Sequence, residues 1–118
     1  MIYKDLIEKG LVKKEEIDFL QVAKVMVKAQ KDLKSAIILL ENEQNENAYE
    51  LAYESMISTG RALIFSYNLR PRAHGSHKIT VEFMERVLGE SNDLLIKKLE
   101  KTRKKRHYLI YGIGLEIS

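Results

Sequence analysis

KEEIDFLQVAKVMVKAQKDLKSAIILLENE, residues 14–43, decides the fold class. It lies in a run between Gly10 and Gly60 that holds no Gly and no Pro. Apolar residues recur in it at steps of three and four, the spacing of one face of a helix. Ile17, Leu20, Ala23, Met26, Val27, Gln30, Leu33, Ile37 and Leu40 form one stripe, with Lys24, Lys28, Lys31, Asp32 and Glu41 largely off it. The pattern predicts one long helix over 14–43. The polar run NEQNEN, 42–47, is costly to bury and rich in turn-forming Asn, so it should reverse the chain.

Downstream, an antiparallel helix is expected over 46–67. It carries small residues (Ala48, Ala52, Ser55, Thr59, Ala62) beside bulkier Tyr49, Tyr53, Met56 and Ile64. NLRPRAHGS, 68–76, reads as the main loop, with freedom at Gly75. Ser76 is the expected N-cap of a short helix closed by Gly89. Ser91 or Asn92 should cap a last helix reaching Tyr111. Residues 2–9 add a marginal helix, residues 1–12 form an extension, and 113–118 are a tail. The expectation is one all-α domain over 1–118, an up-and-down bundle of four to five helices, with strands unlikely.

Composition narrows the function. The chain has 118 residues and no Cys, which removes disulfides, thiolate nucleophiles and the usual zinc sites. No stretch approaches the roughly 18 uncharged apolar residues of a membrane span. MIYKDLIEKG at the start carries acids and no apolar block, so a cytoplasmic protein without membrane contact is expected. The net charge is only +3, with pI near 9.0. Its distribution matters more: Lys97, Lys98, Lys101, Arg103, Lys104, Lys105 and Arg106 crowd residues 97–107, ending at His107, against one acid, Glu100.

At about 100° per residue, the last helix places Leu95, Leu99 and Thr102 on its apolar stripe and Lys97, Lys101, Lys104 and Lys105 opposite. Arg106 falls in the middle of that stripe, Arg103 near its edge and His107 just beyond. A guanidinium cannot shed its charge at ordinary pH, so an inward arginine needs acceptors. Two readings stand for Arg106: a structural pairing with an internal acid such as Glu50 or Glu54, or a phosphate cleft shared with Arg103 and His107. Arg70 and Arg72, with His74 and His77, form a second candidate phosphate-facing patch. His74 and His77, with Glu82 nearby, lack an obvious third and fourth ligand, so no metal site is assigned. Tyr49, Tyr53 and Tyr67 suit packing, while Tyr108 is the better candidate for stacking on a base.

AQKDLKSAIILLENEQNENAYELAYESMISTGRALIFSYNLRPRAHGSHKITVEF, 29–83, followed by RKKRHYLIYG, 103–112, resembles the HEPN domain family, named for higher eukaryote and prokaryote nucleotide-binding. The resemblance spans about 22–112. It includes an Ala- and Tyr-rich second helix, the His77–Lys78 pair after a loop, and the Arg-rich terminal helix. It implies a helical bundle, often a homodimer, and a partner of the minimal nucleotidyltransferase type in toxin and antitoxin pairs. Active members are metal-independent ribonucleases with an arginine followed, after four to six residues, by a histidine. Here Arg106 leads after four residues to Tyr111, and Arg103 after only three to His107.

If the chain is active, the implied catalytic residues are His107, Arg103 and Arg106. The more direct expectation is a module that binds RNA or a nucleotide through Arg103, Arg106, His107, Lys104, Tyr111, Arg70 and Arg72, without a cofactor. A metal-independent toxin ribonuclease and a non-catalytic protein-interaction bundle are the alternatives.

Overall fold

The structure, a computed structural model, describes residues 1–107. Their elements in order are α1 (Lys4–Glu8), β1 (Val12–Lys14), α2 (Phe19–Glu41), α3 (Asn45–Ser66), β2 (Leu69–Pro71), α4 (Ser76–Leu88) and α5 (Asp93–His107), with a 3-10 turn at Glu90–Asn92. The all-α bundle expected from sequence is present, with two additions. Val12–Lys14 and Leu69–Pro71 pair antiparallel, Val12 opposite Pro71 and Lys14 opposite Leu69, so part of the expected loop is a strand. The first long helix begins at Phe19 rather than near residue 14. Asp18 caps it by accepting a hydrogen bond from the Leu20 amide, 2.9 Å.

The turn between α2 and α3 falls where the Asn-rich run placed it, with Glu43 taking a φ of 60°. The seam of this hairpin is made of small side chains. Ala29 and Ala36 are the buried residues of α2, facing a helix that buries Ala48, Ser55 and Ala62. The Ser55 hydroxyl donates across the seam to the Ala29 carbonyl, 2.8 Å. Small residues let the backbones approach, but they leave the predicted stripe uncovered: Leu20 is 64% exposed, and Val27, Leu33, Ile37 and Leu40 are also exposed. Periodicity was a correct guide to the helix and a wrong one to its buried side, because α2 packs extensively only on α3 among the described residues.

Two clusters form the core, and α4 supplies both. Ile79 and Phe83 meet Leu6, Val12, Ile64 and Leu69, which draws the N-terminal extension and the ribbon into the interior. Val81 and Met84 meet Tyr53, Ile57, Ile96 and Leu99, which joins α4 to α3 and α5. A Cβ on Gly60 would lie 2.5 Å from both Met84 Sδ and Thr80 Cγ2, so glycine is what lets α4 lie this close to α3. The N-cap of α4 is Gly75, with a φ of 70°, and not Ser76, which is the first helical residue. Gly89 closes α4 as expected. Asn92, one of the two expected caps of α5, immediately precedes that helix, and its side chain donates back to the Leu88 carbonyl, 3.1 Å.

Candidate functional site

The inward face of α5 runs through Ile96, Leu99, Arg103 and Arg106, at steps of three and four. It is displaced from the predicted stripe, since Leu95 is exposed and Ile96 is buried. Both arginines therefore turn toward the bundle. Lys97, Lys98, Lys101, Lys104 and Lys105 stand in solvent.

Arg106 finds its acceptors on α3. Its Nε donates to Glu50 Oε1 at 2.5 Å, and its Nη2 lies 3.5 Å from Glu54 Oε1. These are the two acids, one helical turn apart, that the sequence offered as internal partners. The guanidinium carbon also sits 5.2 Å from the centroid of the Tyr53 ring. Burial works against the Arg106 cation. The Glu50 hydrogen bond and the charges of Glu50 and Glu54 outweigh it, so its pKa stands above the ordinary value. Arg103 is held more locally, its Nε donating to Glu100 Oε1 at 2.6 Å.

Tyr53 is the hub that sequence reasoning assigned only to packing. Its ring is fully buried, and burial pushes its hydroxyl up to about 12. That hydroxyl shares a 2.9 Å hydrogen bond with His77 Nδ1, at the start of α4. Burial also holds His77 below the ordinary histidine value; Glu54 opposes this, while Arg61, Arg106 and Arg103 add to it. With both groups neutral, the imidazole tautomer sets the direction: Tyr53 Oη–H donates when Nδ1 is bare, and Nδ1–H donates to Oη in the other tautomer. The link joins residues 24 positions apart on different helices. The nearest signal in the sequence was the His77–Lys78 pair.

The predicted cations thus fall into two groups. Arg103, Arg106 and the exposed Lys104 share α5, with His107 as its last residue. The side chain of His107, and Tyr108 and Tyr111 altogether, lie outside the described residues. Arg70 and Arg72 lie on and just after β2, which packs against α3 and α4. Arg70 Nε donates to Glu15 Oε2 at 2.5 Å, and Arg72 Nε donates to the His74 carbonyl at 3.1 Å. No group of three or more His, Asp or Glu side chains is placed to hold a metal ion among the described residues. No helix among them is long and apolar enough to cross a membrane.

Searches of curated proteins and of solved structures give no significant match. A family model described as the HEPN domain matches residues 22–116, taking in the α2/α3 hairpin, α4 and the arginine-bearing α5. On that match, and on the all-helical bundle that carries it, the chain belongs to the HEPN domain family, whose functions are nucleotide- and RNA-related.

Proposed function

We propose that this protein is a phosphate-binding HEPN module that engages RNA through α5. The observation that carries the reading is the arrangement of that helix: five lysines exposed along it, beside two arginines fixed at its inner edge. A cationic arc attracts a phosphate backbone whatever its sequence, through counterion release. Arg103, Arg106 and His107, within about one helical turn at the end of α5, would then position a phosphate, with Lys104 and Tyr111 adding contacts.

Work with a nucleotidyltransferase-type partner in a toxin and antitoxin system, and assembly as a homodimer, complete the proposal. The exposed leucines and isoleucines of α2 support assembly, since apolar side chains gathered on one face favour a partner surface.

Labelled RNA incubated with the protein in chelator tests this. Binding that weakens steeply with salt, without cleavage, is the expected result. Lys101→Gln and Lys104→Gln should each reduce the log–log salt slope by about one phosphate contact. No affinity at low salt would sink the reading. Cleavage in chelator that is lost in His107→Ala would replace it with the ribonuclease reading.

A further inference from the structure

A second concentration of positive charge lies away from α5, and it has the shape of a pocket. Where the ribbon crosses the α2/α3 hairpin there is a cavity of about 510 Å³. That is within the range of roughly 300–1,000 Å³ typical of small-molecule sites. Five of its lining residues are cations drawn from separate parts of the chain: Lys13 on β1, Lys28 on α2, Arg61 on α3, Arg70 on β2, and Arg72 just beyond it. No acid lines it. Asp32 pairs with Lys28 at 2.6 Å and Glu15 with Arg70 at 2.5 Å, while Lys13, Arg61 and Arg72 have no carboxylate partner among the described residues.

Folding brings these like charges together around a concavity, where low-dielectric walls concentrate their field. That costs free energy, which an anion in the cleft would recover. Guanidinium forks suit the oxygen pairs of phosphate groups. The other walls argue against recognition of a base. Phe65, the aromatic residue of the lining, is buried, and its ring is already covered by the Arg70 guanidinium at 5.0 Å. Val25, Pro71 and Ala73 offer little flat surface for stacking.

We propose that the cleft between the ribbon and the hairpin is a second phosphate site, which takes the phosphate groups of a nucleotide and is indifferent to its base. The site is separate from the α5 reading and stands or falls without it. The phosphates could belong to a free nucleotide or to an RNA strand, and competition separates these sources.

The test is calorimetric titration of the full chain at low salt with tripolyphosphate, ATP, GTP, a short RNA and polyglutamate. Tripolyphosphate, ATP and GTP should bind within a few-fold of one another. Arg61→Gln and Arg72→Gln should each weaken tripolyphosphate about tenfold, the scale of one charge-assisted contact, whereas Lys34→Gln, an equal charge change on the exposed side of α2, should not. Amide shifts in the unmutated protein should centre on Lys13, Lys28, Arg61 and Arg72, a readout that holds even if a variant folds poorly. RNA that displaces tripolyphosphate from these residues supports a strand as the source; RNA that does not supports a free nucleotide. The proposal is overturned by absent tripolyphosphate binding, by a preference for one base above tenfold, by tighter binding of polyglutamate, or by shifts centred on α5.

Discussion

Arg106 and Arg61 are both half-buried guanidiniums, and they stand in opposite situations. Arg106 lies against Tyr53 with Glu50 and Glu54 as acceptors, and its neighbour Arg103 has Glu100. Arg61 faces a cavity whose other charged residues are also cations. The α5 region has the more conspicuous sequence, yet much of its inward charge is neutralised where it stands. The ribbon region is assembled from scattered residues and keeps more of its field. Local density of Lys and Arg along a chain therefore does not by itself measure the field that an anion meets; placement of the carboxylates counts as well.

The comparison can be broken most severely at Gly60. Gly60→Ala would force a Cβ into Thr80 and Met84, and overpacking of this kind costs about 1–3 kcal/mol. Denaturant unfolding should show that loss. The His77 ring resonances should also move as α4 is pushed off α3. A variant as stable as the parent would show that the close helix contact is not what holds the Tyr53–His77 pair together.

Tyr53→Phe comes next in size. It keeps the ring under Arg106 and removes only the hydroxyl, leaving a half-buried His77 nitrogen without its partner, at a cost of about 1–2 kcal/mol. Titration of His77 by NMR should change in the variant, while the Arg106 contacts stay in place.

Glu50→Gln sharpens the contrast directly. Removing one carboxylate from Arg106 makes α5 resemble the ribbon cleft, so RNA affinity at low salt should rise a few-fold. Stability should fall by no more than about 1 kcal/mol, because Glu50 is substantially exposed and screened. Unchanged affinity would mean that Arg106 does not reach the RNA.

The smallest effect is in pH. His77 binds its proton less readily in the folded state than in the unfolded chain, whose histidines titrate near 6.5. Above that value the group carries no penalty. As pH falls from about 6.5 through the lower folded value, the unfolded state takes up more protons and stability declines. His77→Gln should flatten that part of the unfolding profile.

Much of the fold could be read directly from residue order. The unbroken run without Gly or Pro marked the hairpin, NEQNEN marked its turn, and Gly89 marked the end of α4. The inward position of Arg106, with Glu50 and Glu54 as its possible partners, followed from counting helix faces. The uncovered side of α2 did not, since an amphipathic pattern shows that two faces differ without showing which neighbour each will meet. Three-residue strands are too short for any alternation to register, so the ribbon was invisible, and with it the cleft that gathers Lys13, Lys28 and Arg61 beside Arg70 and Arg72. Tyr53 was legible as a core residue, but its bond to His77 depends on how closely α4 approaches at Gly60.

The ribbon also sets an order of events. Glu15, just after β1, and Arg70 on β2 are 55 positions apart, so the two strands can meet only after a long loop has closed, whereas the α2/α3 hairpin turns locally. The hairpin should therefore form early and the ribbon close last, making its amides among the first to exchange with solvent under native conditions. A ligand held by the closed ribbon would slow that reopening in proportion to its occupancy, so the protection of a few strand amides would report the phosphate concentration around the protein.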